Sequence, residues 1–202
     1  MHALIVVAHP DPQSLTHAVA ARLAEAGADH SVEIADLAAE GFDPRFSAAD
    51  LAAYHRRAPM PADVAAEQAR VDRASDVVLV YPVYWWSMPG LLKGWIDRVF
   101  TNGWAYESGP DVKLTKKLRR LRVHLVGVGG ADTGTYERHG YFGAMKLQIY
   151  HGIFDFCCAK VVTSEFLLDV ESKYGTPHLE NASTIGRKLF AASPSGDVSK
   201  AA

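Results

Sequence analysis

The chain reads as an open, doubly wound α/β sheet with helices on both faces, and three observations carry that reading. Short apolar, β-branched runs at residues 3–8, 77–81 and 122–128 are of strand length, and their lack of polar alternation marks strands buried on both sides. Each run leads into a loop of Gly, Pro, Ser or aromatic residues. Helix-like segments, with apolar residues three to four apart, alternate with strands along the whole chain, and there are no internal repeats.

Residues 3–8 are followed at once by the loop His9-Pro10-Asp11-Pro12-Gln13-Ser14-Leu15-Thr16. A helix over 15–26 places Leu15, Val19 and Leu23 on one face, and Gly27 stops it. Ser14 suits the N-cap, and the hydroxyls of Ser14 and Thr16 lie where free backbone N–H groups and the positive end of the helix dipole point outward. Such an end attracts an anion, a phosphate in nucleotide-binding sheets, although a Ser before a helix is by itself more often a plain cap. Residues 31–37 alternate as a strand near a sheet edge. Residues 38–61, punctuated by Gly41, Pro44, Pro59 and Pro61, form an irregular excursion with a short helix over 48–56. A structural helix over 64–74 leads into the third strand.

The stretch 75–100 organises the rest. Its strand, 77–81, is closed by Pro82, which has no N–H to donate. From Pro89 a helix carries Leu92, Trp95, Ile96, Val99 and Phe100 on one stripe. Between them lie Val83, Tyr84, Trp85, Trp86, Ser87 and Met88. An open α/β sheet binds its ligand at the carboxyl ends of its strands, and three adjacent aromatics in such a loop cannot all face inward. Each left in water would expose roughly 150–250 Å². Two coverings are compatible with that: a flat ligand, or a neighbouring helix or second subunit.

Beyond residue 100 come Thr101-Asn102-Gly103-Trp104-Ala105-Tyr106 and a basic stretch with six Lys or Arg between 113 and 122, read as a solvated helix or loop rather than a phosphate patch. The strand 122–128 runs into Gly129, Gly130 and then Tyr136, and glycine there lets backbone approach a ligand closely. A helix over 145–156, a fifth strand over 160–166 and a terminal helix over 179–192 complete a single domain, 1–192, with strand order 2-1-3-4-5. Residues 193–202 read as a fraying tail.

Composition sets the outer bounds. The 202 residues are 49% hydrophobic and 22% charged, an ordinary globular balance. A net charge of −2 supplies no basic field for nucleic acid or an anionic membrane. No apolar run is long enough for a membrane span, and the N-terminal run lacks the basic flank of a signal peptide, so a cytoplasmic protein is expected. Cys157 and Cys158, adjacent in the chain, suit a reducing compartment better than a disulfide. The nine histidines show no ligand-type clustering, and no metal is expected.

The segment Tyr-Pro-Val-Tyr-Trp-Trp-Ser-Met-Pro-Gly-Leu-Leu-Lys-Gly-Trp-Ile-Asp-Arg-Val-Phe, residues 81–100, closely resembles the flavin-binding segment of the NAD(P)H:quinone oxidoreductases of the flavodoxin-like superfamily. The resemblance implies a five-stranded parallel sheet, bound FAD with FMN as the alternative, NAD(P)H as co-substrate, two-electron reduction of a quinone or other small aromatic acceptor, and a homodimer. Carried over by position, His9, Gln13, Ser14, Leu15 and Thr16 would contact the flavin phosphate and ribityl chain. Pro82, Val83, Tyr84, Trp85 and Trp86 would lie along the ring, and Gly129, Gly130 and Tyr136 would wrap its pyrimidine end. Trp85, Trp86 and Tyr106 would wall the substrate slot, and Tyr136 would stabilise charge at the flavin N1–O2 edge. Leu15 and Thr16 depart from the family's Phe and Asn. Phe142 stands where mammalian members place a His, with His139 three positions earlier. Azo- or nitro-compound reduction, an electron-carrier flavodoxin and an ancillary subunit of a potassium-efflux system are the rival readings.

Overall fold

A computed structural model describes residues 1–110, 112–169 and 176–191. Five strands form one parallel sheet: β1 (His2–Val7), β2 (Ser31–Asp36), β3 (Asp76–Pro82), β6 (Arg122–Val128) and β7 (Lys160–Leu167), ordered β2-β1-β3-β6-β7. Counting only these strands, the order is the expected 2-1-3-4-5. Every residue of β3 is buried, as a strand covered on both faces requires. Pro82 still pairs with Val128 as the last position of the ladder, and the N–H of Val83, just beyond, reaches the Val128 carbonyl at 2.8 Å.

Alternate residues of the central strands feed two cores. Val78 and Val80 point to the side of α1 (Leu15–Ala26) and α7 (Thr176–Ala191). These two helices press together because glycine leaves room: a Cβ on Gly27 would lie 2.3 Å from the Phe190 ring, and one on Gly186 would lie 2.6 Å from Ala26. Val77, Leu79 and Tyr81 point the other way, into the larger core with α3 (Ala62–Arg73) and α4 (Gly90–Val99). There Trp95, fully buried, donates its indole N–H to Glu67 at 2.7 Å. At the opposite edge of the sheet from the strand ends, His124 is satisfied between Asp76 at 3.0 Å and Thr163 at 2.9 Å, a core histidine rather than a ligand.

The excursion after β2 contains α2 (Ala48–Tyr54), shorter than expected because Arg56 turns left-handed at φ 58°. The helix expected over 64–74 runs instead over Ala62–Arg73, and the one expected over 179–192 covers Thr176–Ala191 among the described residues. The basic stretch is solvated, as expected, and residues 117–121 are loop, but its first part is corrected. Residues 113–116 belong to an exposed strand, β5 (Val112–Lys116), paired antiparallel with β4 (Tyr106–Gly109). The glycine-rich loop gives way to α5 (Thr133–His139), and the helix expected over 145–156 is α6 (Tyr141–Met145) continuing in π-type turns over Lys146–Asp155. The tail at 193–202 lies outside the described residues. Among the described residues no helix is long and apolar enough to cross a membrane, none group as a metal site, and Cys157 and Cys158 are free thiols.

Candidate active site

Because β1, β3 and β6 are neighbours in a parallel sheet, the loops that follow them emerge side by side at its carboxyl edge. Between them lies a cleft of about 530 Å³. Its walls include His9, Gln13, Ser14, Leu15, Thr16, Pro82, Val83, Tyr84 and Gly130, nine of the residues expected from the sequence, together with Asp11 and Val128. Asp11 was not expected, yet it shapes the first loop. Its carboxylate accepts the Gln13 N–H at 2.9 Å, its carbonyl accepts the Ser14 N–H at 3.1 Å, and its own N–H donates to His9 Nδ1 at 3.0 Å. The same His9 nitrogen also lies 3.2 Å from the Asp11 carbonyl oxygen, so ring and loop backbone are held together locally. The sequence signal for this Asx-type turn is Asp between two prolines, shortly before a Ser cap.

Ser14 is the N-cap of α1, its hydroxyl accepting the His17 N–H at 3.3 Å. The N–H groups of Leu15 and Thr16, in the first turn, have no intrahelical acceptor and face the cleft end of the helix. This is an anion-receiving end, with donors and dipole aligned.

The second wall, Pro82 to Tyr84, leads into a two-residue hairpin turn whose Trp85 and Trp86 are not among the residues lining the cleft. Tyr84 and Ser87 exchange both backbone hydrogen bonds, at 3.1 and 3.0 Å, across Trp85 and Trp86. Both tryptophans are left-handed, at φ 50° and 52°, the type I′ conformation ordinarily reserved for Asn and Gly. Holding a bulky residue there costs about 1–2 kcal/mol each, and such strain gathers at functional sites. The arrangement leaves the Trp85 and Trp86 N–H groups outside the hairpin pair, available to a ligand. Ser87 pins the turn from below through Gln148 at 2.8 Å. Trp85 is 88% exposed, whereas Trp86 stacks on Tyr141 with centroids 3.9 Å apart, and His139 stacks on the far side of Tyr141 at 5.2 Å. Neither Tyr141 nor this three-ring pile is legible from the sequence. Replacing Trp85 with Asn, which tolerates this backbone, should raise stability by about 1 kcal/mol. Thermal denaturation reads this as a rise of roughly 2–4 °C, and an unchanged or lower midpoint would refute the strain.

Gly129 and Tyr136 belong to the layer behind the cleft. The Tyr136 ring is buried against Phe142, centroids 4.9 Å apart, and a Cβ on Gly129 would lie 2.9 Å from the Tyr136 hydroxyl. Only glycine at 129 allows that hydroxyl to come up behind the backbone. Burial pushes the Tyr136 phenol above its usual range, so at neutral pH it keeps its proton and can donate. Asp132 holds α5 in place by capping the Thr135 N–H at 2.6 Å. Phe142 fills its position with ring packing on Tyr136 and Phe166. Tyr106 does not line the cleft. It is on β4, edge-on to Phe156 at 5.0 Å, and its phenol is pushed up to about 12 by burial and by a hydrogen bond with Tyr54.

A parallel sheet of this order with a helix N-terminus and an aromatic turn at its carboxyl edge defines a flavodoxin-like protein, and residues 1–185 match the Flavodoxin_2 family, described as a flavodoxin-like fold. The chain is 31% identical over 196 residues to ribosyldihydronicotinamide dehydrogenase [quinone] of Mus musculus, covering 84% of this chain and 83% of that one. The solved NAD(P)H:quinone oxidoreductase from Methanothermobacter marburgensis superposes with a TM-score of 0.83 at 26% identity, over 94% of this chain and 98% of that one. A third relative, the glutathione-regulated potassium-efflux system ancillary protein KefF of Salmonella newport, is 41% identical over 129 residues, 64% of this chain and 61% of that protein. The chain belongs to the NAD(P)H:quinone oxidoreductase family within the flavodoxin-like fold.

Proposed function

We propose that the chain is a flavin-dependent NAD(P)H dehydrogenase that passes two electrons, as hydride, from NAD(P)H to quinones or similar electron-poor aromatic acceptors. The observation that carries the proposal is one cleft in which the N-terminus of α1 meets Pro82, Val83 and Tyr84, the segment that leads into the strained Trp85–Trp86 turn. Likeness to enzymes named for this activity supports it.

The donor set suits a phosphorylated flavin. Ser14 and the N–H groups of Leu15 and Thr16 would receive its phosphate. The N–H groups of Trp85 and Trp86 would face polar atoms of its ring, with Gly130 and the Gly129–Tyr136 layer at the other end. A bound flavin supplies the hydride acceptor and donor. The residues orient it, keep water off its face and hold a proton ready at the Tyr136 hydroxyl. FAD is the proposed form, with FMN as the alternative. We take the protein to be cytoplasmic and homodimeric, with Tyr106 reaching a slot shared between subunits. That role accounts for an aromatic on an exposed hairpin away from its own chain's cleft.

The test is direct. Purified protein should carry or take up flavin, seen in its visible spectrum and identified by chromatography, and should oxidise NAD(P)H only when a quinone is supplied. A preparation that binds no flavin on titration refutes the reading. Tyr136→Phe should slow flavin reduction about tenfold in stopped flow while leaving flavin affinity within about twofold, because the lost hydrogen bond serves charge that develops during reduction. An unchanged rate would remove Tyr136 from the chemistry. A second reading, service to a potassium-efflux transporter, is favoured by the likeness to KefF. Co-purification with a membrane transporter would distinguish it.

A further inference from the structure

Ser14, His17 and Asp36 form a continuous hydrogen-bonded chain from the cleft to the end of β2. Ser14 Oγ lies 2.9 Å from His17 Nδ1, and His17 Nε2 lies 2.8 Å from Asp36 Oδ2. The other Asp36 oxygen accepts the N–H groups of Ala38 at 3.2 Å and Ala39 at 3.1 Å. Although burial works against it, these amides and His17 hold the Asp36 carboxyl below its usual range, so it is an ionised, acceptor-only group near neutral pH.

Counting hydrogens along the chain leaves two states. A carboxylate cannot donate, so Nε2 carries a proton in both. In the neutral imidazole Nδ1 is then a bare lone pair, and the hydrogen in the 2.9 Å contact must be the hydroxyl hydrogen of Ser14. The hydroxyl points back at His17 and offers the cleft no donor. In the imidazolium Nδ1–H donates instead. Ser14 Oγ then accepts from both Nδ1–H and the His17 backbone N–H, and its own hydrogen is released toward the cleft that Ser14 lines.

We propose that His17 is a positioning residue that switches Ser14 from acceptor to donor, so that binding of a flavin phosphate takes up one proton at the His17 ring. This inference rests on the flavin reading above and adds a protonation requirement to it. A phosphate at the start of α1 favours the donating hydroxyl and attracts the imidazolium charge, so both effects act in the same direction. By linkage, a higher proton concentration tightens flavin binding by the factor with which flavin tightens proton binding. The charged or titratable groups facing His17 are Asp36 from β2, with His9 and Asp11 from the loop after β1. His9 meets it edge-on with centroids 6.2 Å apart, and its Nδ1 lies against the Asp11 backbone, 3.0 Å from the N–H and 3.2 Å from the carbonyl oxygen. The other walls around His17 include Val7, Pro12, Ala21 and Ile34, and they carry no titratable group.

The test is calorimetric titration of the apoprotein with FAD, FMN and riboflavin in two buffers of different ionisation enthalpy, across about pH 6–9. Both phosphorylated flavins should take up as much as one proton per site, with affinity falling by up to tenfold per pH unit as pH rises. Riboflavin should take up none. Imidazole ¹⁵N NMR on the unaltered protein should show His17 passing from the Nε2–H tautomer to the doubly protonated ring when FAD binds, and His17→Phe should abolish the uptake. Flavin binding without proton uptake, equal uptake with riboflavin, uptake that survives His17→Phe, or a His17 ring that stays neutral would each overturn the inference and leave the flavin reading standing. Failure to bind any flavin at any pH would overturn both.

Discussion

Replacing Arg98 with Met should cost the protein about 3–5 kcal/mol, the cost of leaving a buried charge without its partner. Arg98 is 5% exposed and joins three parts of the chain. Its Nε donates to Asp50 of α2 at 3.1 Å, and its Nη1 donates to Asp63 at 2.6 Å and to the Asp43 carbonyl at 2.8 Å. Its guanidinium lies over the Phe42 ring at 5.2 Å. Asp50 is 2% exposed, and without Arg98 its buried carboxylate keeps only the two hydrogen bonds that Ser47 donates to Oδ2. Asp63 is half-exposed and loses little, since water replaces its partner. Urea unfolding should show the midpoint falling by about 1–2 M. Adding Asp50→Asn, which removes the stranded charge, should recover part of the loss. A single variant within 1 kcal/mol of the original would mean that water reaches Asp50 freely.

Gly94→Ala inverts an ordinary expectation. In the interior of a helix, alanine in place of glycine gains about 1 kcal/mol from propensity. Here a Cβ would lie 2.2 Å from the Pro44 carbonyl oxygen and 2.5 Å from the Pro44 Cβ. Backbone cannot swing aside as a side chain can, so α4 must shift bodily, and overpacking of this kind costs about 1–3 kcal/mol or more. We expect a net loss of about 2 kcal/mol, seen as a fall of roughly 4–8 °C in the thermal midpoint. Because α4 begins three residues after the hairpin turn, flavin retention should weaken in the same variant. A rise in the midpoint would show that the segment around Pro44 gives way readily.

The sequence made some parts of this molecule plain for identifiable reasons. β1, β3 and β6 are covered on both faces, so their composition is almost purely apolar, and the loops after them are where a doubly wound sheet holds its ligand. The β4–β5 hairpin was hidden for the opposite reason. β5 is exposed at every position, and lysines at 113 and 116 mask the alternation of Val112 and Leu114. α5 had signals at both ends, Asp132 as a capping residue and Gly140 left-handed at φ 70°, which the nearby glycines obscured. The turn at Trp85–Trp86 could not be foreseen from local preference, since tryptophan rarely enters that backbone region; the Tyr84–Ser87 pair and the Gln148 anchor impose it. Nine expected cofactor contacts line one cleft. The Ser14–His17–Asp36 chain spans β2 and α1, and composition gives no hint of such a contact.

The Trp86–Tyr141 contact also gives the cleft an optical signature of its own. Two aromatic chromophores held at stacking distance in a fixed chiral arrangement couple their transitions, and the coupled pair contributes a signed band to near-ultraviolet circular dichroism. Any planar guest that slides over the indole must disturb that pair. On the proposed reading, arrival of a colourless acceptor at this surface is therefore readable from the circular dichroism of the protein's own aromatics, with no dye, label or turnover required.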